Sequence, residues 1–335
     1  MDDEADEGGA GEGRADEGGA GDGGDREPGL TRRAAVALAG DDAELLVQVG
    51  CDLADTGKQL EALRCFERAV VLGLDWVSLN VGNTLSELGR PLEAVAAYEV
   101  ALAAGEDDAH LNLGSVLEEL GDLGGAMLAY RRAGEAAGQS EGFVALAHLL
   151  HHQGEPAQAE DVMQRAAAMG DLAAVGTLAS WRWDSSHDVA LEPLLRAGAD
   201  ASGAARADLG ALLLATGRRS QARVVLQQGA NLGQRECWLP LGNLLAGDDL
   251  AADVPVGSEL MAAELASDEL VDEVAAEAAY RAGIAAGDDY CYHNLGMLLL
   301  SRGDLAGAEA SFLAGSAAGD ELAQYAWQRM HDAPG

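Results

Sequence analysis

The feature that most constrains this chain is a sequence pattern that returns at an offset of 32 residues. The tripeptide 80–82 (Asn-Val-Gly) recurs at 112–114 (Asn-Leu-Gly), and the dipeptide 88–89 (Leu-Gly) recurs at 120–121. A fixed period of this length is typical of an array in which one supersecondary unit is repeated. The sequence therefore predicts similar units whose neighbours bury a shared core.

Eight repeats align on a small residue, here called the marker, in the first helix of each unit. The markers are Gly50, Gly82, Gly114, Ala147, Ala179, Gly210, Gly242 and Gly296. In six repeats a second glycine follows after seven residues, an alanine after twelve and a large apolar residue after sixteen. The second glycine suits a left-handed helix end. The marker and the alanine let two antiparallel helices approach closely beside the large residue.

Four repeats end in glycine followed by an acid, as in Gly170-Asp171, which predicts one helix end and a cap for the next helix. Two regions depart from the pattern. The repeat marked by Ala179 keeps the spacing without the glycine and alanine signature. In the repeat marked by Gly242, the large residue Tyr280 lies 38 residues after the marker, which predicts an insertion at about 248–271. This insertion contains Ser258 as a possible helix cap, and a functional loop and a neutral one fit it equally.

The repeated unit resembles the tetratricopeptide repeat (TPR) family. Trp238-x-x-Leu241-Gly242 matches the opening of the family pattern, and Ala62-x-x-x-Phe66 matches its second half. The glycine-acid endings are similar to the related Sel-type repeats. The resemblance implies an all-α, right-handed superhelical solenoid of about eight antiparallel helix pairs over residues 30–335.

The net charge of −36 argues against partners that are themselves anionic. A chain this acidic repels phosphate backbones and anionic lipid surfaces, so we expect neither a nucleic-acid nor a membrane partner. Residues 1–29 are Gly, Asp, Glu and Ala with almost no apolar content, and they are predicted to form a disordered acidic tail. Thr31 to Leu38 is predicted to be a short N-terminal capping helix.

The sequence contains no motif that indicates an enzyme, and it predicts no cofactor. The four cysteines have no C-x-x-C spacing, and no segment resembles a signal peptide or a membrane span, so the expected location is cytoplasmic. His148 shares a helix face with His151 and His152, and two histidines at i, i+4 can hold a metal. Because no further ligands are evident, a polar surface is the favoured interpretation of this cluster.

In the TPR family, the concave groove is lined by the first helix of each repeat, so the resemblance implies a set of groove residues. These predicted groove residues are Asn80, Asn83, Glu87, Asn112, Ser115, Glu118, Glu119, His148, His151, His152, Trp183, Asn243, Asn294 and Met297. The asparagines suit either of two roles, gripping a peptide backbone or bonding to neighbouring repeats. These positions lack the Lys and Arg residues with which chaperone-binding relatives hold a carboxylate, so a neutral or basic peptide is the expected ligand.

The resulting functional prediction is a non-enzymatic scaffold that binds a peptide or partner segment in its groove. One alternative is a regulatory module that acts on other products of its operon. A second alternative is a metal site at His148, His151 and His152.

Overall fold

The computed structural model describes residues 26–247 and 272–332, which form α-helices joined by short turns and three 3-10 helices, with no β-strand in these two ranges. The predicted tail before residue 26 and the predicted insertion, with its Ser258 cap, lie outside the described residues. The chain divides into two compact units, the first ending at Asp122 and the second beginning at Leu123. A single repeat domain over residues 30–335 stays a prediction.

The first unit contains the N-terminal helix, two helix pairs and one further helix. Its helices are α1 (Arg26–Ala39), α2 (Ala43–Asp55), α3 (Gln59–Val71), α4 (Ser78–Glu87), α5 (Pro91–Ala103) and α6 (Ala109–Glu119). The helix α1 packs on α2, and it begins within the last residues assigned to the tail, one turn earlier than predicted. Successive helices pack against one another, so the core follows the chain order.

The second unit begins with a single helix and holds five helix pairs and a terminal helix. Its helices are α7 (Leu123–Glu135), α8 (Ser140–His152), α9 (Pro156–Ala168), α10 (Leu172–Ser186), α11 (Glu192–Gly198), α12 (Gly203–Ala215), α13 (Arg219–Asn231), α14 (Trp238–Ala246), α15 (Glu273–Ala285), α16 (Cys291–Ser301), α17 (Leu305–Ala318) and α18 (Glu321–Asp332). First helices of neighbouring repeats also touch, as α10 touches α12 and α12 touches α14. These first helices therefore form one layer within the unit.

The marker glycines hold the two helices of a repeat together by leaving room for a large side chain. A Cβ placed on Gly82 would lie 2.5 Å from Cε1 of Tyr98, and one placed on Gly50 would lie 2.5 Å from Cε1 of Phe66. The same contact joins Gly210 to Leu226, Gly242 to Tyr280 and Gly296 to Phe312. All five large side chains are buried. The spacing of sixteen residues thus predicted a real contact, and Tyr280 makes it across the insertion.

In six of the eight repeats, the turn between the two helices is three residues long, with glycine in the middle. In the turn between α4 and α5, Gly89 has a φ of 69°, which L side chains rarely adopt. Its N–H donates to the Ser86 carbonyl at 2.9 Å, and the N–H of Arg90 donates to the Leu85 carbonyl at 2.9 Å. This pair of bonds is a Schellman motif, which satisfies the last carbonyls of the first helix and reverses the chain.

Two of the predicted acidic caps are formed in the second unit. The Asp171 carboxylate accepts from the N–H of Ala174 at 3.0 Å, at the start of α10. The Asp320 carboxylate accepts from the N–H groups of Leu322 and Ala323 at the start of α18. Because the first N–H groups of a helix have no partner inside it, such caps fix where the next repeat begins.

The repeat marked by Ala179 is built differently from the others. Its second helix, α11, has seven residues, and it follows the 3-10 helix Val189–Leu191. His187 takes the left-handed position that ends α10, with a φ of 52°, in a repeat without the usual glycine. Backbone contact between Gly176 and Gly198 replaces the usual packing of a glycine against a large side chain.

Candidate functional site

Two asparagines accept paired hydrogen bonds at the junctions between repeats. In the first unit, Oδ1 of Asn83 accepts from the Tyr98 hydroxyl at 2.9 Å and from Nδ2 of Asn112 at 2.8 Å. In the second unit, Oδ1 of Asn243 accepts from the Tyr280 hydroxyl at 2.8 Å and from Nδ2 of Asn294 at 2.6 Å. Each asparagine therefore ties both helices of its own repeat to the first helix of the next.

These contacts bear on the two roles that the sequence leaves open for the asparagines. Asn243 is only 4% exposed, and the amide oxygens of Asn83 and Asn243 are already occupied within the fold. Asn80 is half-buried, and its backbone carbonyl accepts from the hydroxyl of Thr84 at 2.8 Å. A structural role at the junctions accounts for Asn83, Asn112, Asn243 and Asn294. Peptide binding by any of these asparagines stays a prediction.

Other predicted groove residues are exposed on the first helices of their repeats. In the first unit these are Glu87, Ser115, Glu118 and Glu119, and in the second unit Met297 is 47% exposed. Burial raises the pKa of Tyr98 to about 12, and the negative charge of Glu87 adds to that shift. Three of the four exposed positions in the first unit are glutamates, so the surface that they form is acidic.

In the second unit, the predicted histidines meet a tryptophan that the sequence analysis does not single out. The ring of His151 stacks on Trp181 with 4.6 Å between centroids and 17° between planes. His148 meets the same indole edge-on at 5.6 Å. His148 is exposed, yet the atoms packed around its ring lower its pKa, and the neighbouring His152 and His151 lower it further. The helices α8 and α10 thus share an aromatic surface that includes two imidazoles.

Trp183 does not line this surface. The side chain is 5% exposed and belongs to the core of the second unit together with Leu195. Its ring is tilted against His187 at 5.1 Å. Trp181 supplies the surface aromatic group that the sequence analysis assigned to Trp183.

The junction between α10 and α12 carries a carboxylate where two other junctions carry an amide. Ser180 follows its marker directly, as Asn83 and Asn243 do, and its hydroxyl donates to Asp208. Asp208 lies two residues before its marker, the place that Asn112 and Asn294 hold in their repeats. Burial raises the pKa of Asp208 to about 6, while the bond from Ser180 opposes that shift.

Asp208 belongs to a group of charges that act on one another. The negative charge of Asp184 raises its pKa further, and His187 lowers it. Partial burial also raises the pKa of Asp184, against the effects of His187 and His151. We call the surface formed by His148, His151, Trp181, Asp184 and Asp208 the α8–α12 face. The repeat register already contained the signal for Asp208, because asparagine stands at its place in three other repeats.

Three further observations concern other chemistry. Among the described residues, no three His, Cys, Asp or Glu side chains are grouped so that they could hold a metal ion, which includes the predicted His148 cluster. Within the same ranges, no helix combines the length and the apolar character needed to cross a membrane.

All four cysteines are free, and burial raises the pKa of Cys237 to about 12, so this thiol is not poised to act as a nucleophile.

A cavity of about 430 Å³ lies elsewhere in the second unit, beside the starts of α14, α16 and α18. Leu239 and Pro240 line it together with Arg235 and several acids. One of these acids is Asp320, whose two oxygens are occupied by N–H groups of α16 and α18. None of the predicted groove residues lines this cavity. Its Asp320 carboxylate already serves as the cap of α18.

Two tetratricopeptide-repeat family models match this sequence, one over residues 107–139 and the other over residues 290–313. The first range includes α6 and α7, and the second includes α16 and the beginning of α17. Residues 107–139 and 290–313 therefore match tetratricopeptide repeats. The predicted resemblance to this family is confirmed at these repeats.

Two solved structures of repeat proteins are similar to this chain. A protective antigen present in uropathogenic Escherichia coli strains, which displays an SLR fold, matches with a TM-score of 0.57 and 18% identity, over 91% of this chain and 67% of the antigen. A Sel1 repeat protein from Oxalobacter formigenes matches with a TM-score of 0.49 and 24% identity, over 60% of this chain and 90% of that protein. No curated protein sequence matches significantly. The antigen shows the fold alone, and it confirms the predicted all-α class of repeated helix pairs with Sel-like features.

Proposed function

We propose that this tetratricopeptide-repeat chain is a non-enzymatic scaffold, and that the α8–α12 face binds a peptide or a segment of a partner protein. Repeats of this family are generally protein-interaction scaffolds. The observation that carries the proposal is the surface stack of His151 on Trp181, at 4.6 Å, beside the carboxylates of Asp184 and Asp208. His151 is exposed and Trp181 is half-buried, and aromatic groups next to fixed polar groups are typical of binding surfaces.

The charge of the chain supports a neutral or basic partner, as the sequence predicts. The net charge is −36, and the exposed glutamates of α4 and α6 are acidic as well. An acidic surface attracts basic segments and repels nucleic acids and anionic lipids. Four free cysteines fit a reducing compartment, so we propose that the protein acts in the cytoplasm.

The proposal is tested by selecting peptides from a random display library against the immobilised full-length protein. We expect enrichment of a defined set of sequences that loses its signal with Trp181→Ala. The matched control is Gln164→Ala, which removes an exposed side chain from α9 in the same repeat as His148. Selection of no sequence, or equal binding by the wild type and Trp181→Ala, would contradict a binding role for the α8–α12 face.

The expected charge of the partner has a separate test. A peptide with an acidic tail that ends in a free carboxylate should bind weakly, because the predicted groove positions hold no lysine or arginine. Isothermal titration of the full-length protein with this peptide measures the affinity. Binding as tight as that of a selected peptide would contradict the preference for neutral and basic segments.

A further inference from the structure

We infer that the α8–α12 face holds an arginine side chain of its partner, with the guanidinium group between the carboxylates of Asp184 and Asp208 and beside the aromatic surface of Trp181. This inference deepens the proposed function and rests on it. It names the chemistry of the bound segment, which the general scaffold role leaves open.

The first step is the comparison of equivalent junctions. At two of them a neutral amide meets a neutral amide, Asn112 with Asn83 at 2.8 Å and Asn294 with Asn243 at 2.6 Å. A tyrosine hydroxyl completes each of these junctions. The repeat marked by Ala179 has Leu195 at the tyrosine position, which has no hydroxyl to donate. Asp208 therefore brings a negative charge to a junction that has fewer donors than its equivalents.

The second step concerns what offsets this charge. Asp208 accepts a hydrogen bond from the Ser180 hydroxyl, and Asp184 lies one helical turn after Ser180 on α10. The arginine nearest to Asp184 in the sequence, Arg182, pairs with Glu160 at 3.1 Å instead. Asp184 adds a second negative charge instead of a compensating positive one. A partly buried carboxylate is stabilised by an opposite charge within a few ångströms. A cation supplied by a partner would provide it.

The third step selects arginine over other cations. The carboxylates come from two helices, α10 and α12, and Trp181 lies three residues before Asp184 on α10. A guanidinium group has five N–H donors in one plane, so it can serve two carboxylates and also lie on an aromatic ring. A lysine ammonium is a compact point charge without such a plane. The two carboxylates and the indole of the α8–α12 face therefore fit an arginine side chain better than a lysine side chain.

The inference also predicts a pH dependence. Asp208 has a pKa of about 6, so a neutral solution holds it charged and a solution below pH 6 protonates it. The other titratable groups that face this junction are Asp184, His187 and His151. Protonation of Asp208 removes one of the two negative charges beside the guanidinium, so the binding of arginine weakens as the pH falls.

The test uses the full-length protein and three blocked pentapeptides, Gly-Gly-X-Gly-Gly, in which X is arginine, lysine or citrulline. Citrulline keeps the shape of arginine and lacks its charge. Binding is followed by the NMR signal of the Trp181 indole N–H at constant ionic strength, at pH 7.5 and pH 5. We expect the arginine peptide to bind most tightly at pH 7.5, and to bind about tenfold more weakly to Asp208→Asn, as for loss of a close charge pair.

The variants are chosen to keep the fold. Asp208→Asn restores the residue type that Asn112 and Asn294 supply at the equivalent junctions. The matched control is Asp161→Asn, which removes one negative charge from an exposed position on α9 and should leave binding unchanged. Equal binding of the arginine and citrulline peptides, or equal binding by wild type and Asp208→Asn, would overturn the inference.

Its failure is distinguishable from failure of the proposed function. If display selection yields peptides without arginine that still need Trp181, the scaffold role stands and the arginine inference is wrong. If selection yields nothing and the pentapeptides do not move the Trp181 signal, both are wrong. A lysine peptide that binds as tightly as arginine would likewise overturn the choice of a guanidinium group.

Discussion

At the scale of single residues, the contact between a marker glycine and a large side chain lets the two helices of a repeat pack closely. We expect Gly82→Ala to lower the free energy of unfolding by about 1–3 kcal/mol, because the new methyl group would overlap the Tyr98 ring. Urea unfolding followed by circular dichroism measures the change. The repeat with Ala147 as its marker has Met163 at the large position. The double variant Gly82→Ala/Tyr98→Met should therefore recover part of the loss, and an unchanged midpoint for Gly82→Ala would contradict the packing argument.

The junction asparagines make a second residue-level prediction. Asn243→Ala removes the acceptor for Tyr280 and Asn294 and leaves the buried tyrosine hydroxyl without this partner. We expect a loss of about 1–3 kcal/mol in the free energy of unfolding, the usual cost of removing one partner from buried hydrogen bonds. Ser115→Ala, at an exposed predicted groove position, is the control and should change stability by less than about 0.5 kcal/mol. Equal effects of the two substitutions would argue against a structural role for Asn243.

At the scale of helices, the contact between α10 and α12 should make stability depend on pH through Asp208. The folded pKa is about 6 and the ordinary value is 3.8, so the folded protein keeps this proton to a higher pH than the unfolded chain does. Stability from this group is present below pH 4 and is lost as the pH rises to about 6. The expected loss is about 1–3 kcal/mol.

Carboxylates with lowered pKa, such as Glu192 beside Arg218, act in the opposite direction, so the difference between variants is the useful quantity. Asp208→Asn should gain stability relative to the wild type as the pH rises from 4 to 6, and the gain should then level off. Asp161→Asn should run parallel to the wild type across the same range. Urea midpoints at several pH values give the comparison, and parallel curves for Asp208→Asn would show that Asp208 is not destabilised by burial.

The elements also show which parts of the structure the sequence can predict. The pattern of small and large residues predicted the contact of Gly242 with Tyr280, although 38 residues separate them in the sequence. Only a residue without a side chain leaves room for an aromatic ring packed against its Cα. Turn glycines such as Gly89 were equally predictable, since their left-handed geometry restricts the residue type.

The candidate site was less predictable, because side-chain burial depends on helices that are distant in the sequence. Register alone placed Trp183 in the groove, but its side chain packs in the core with Leu195, and Trp181 is the residue that stacks on His151. The raised pKa of Asp208 could not be predicted from the sequence either, since it arises from burial where α10 packs against α12.

At the scale of the whole molecule, the net charge of −36 adds electrostatic repulsion that is distributed over many carboxylates. Like charges destabilise a compact state, and salt screens them over about 10 Å at 0.1 M ionic strength. We therefore expect the free energy of unfolding to rise as sodium chloride increases from low concentration to about 0.1 M and above. Thermal unfolding at fixed pH measures this rise.

The control for this prediction is Gly82→Ala, which alters packing and leaves the charge unchanged. Its stability should be lower at every salt concentration but should rise by the same increment, because repulsion among many distributed carboxylates does not depend on one packing contact. A partner that binds through arginine should show the opposite trend, with affinity falling as salt rises, since screening weakens attraction as well as repulsion. Stability that is independent of salt would mean that the exposed ion pairs, such as Arg90 with Glu93, already balance the local charge.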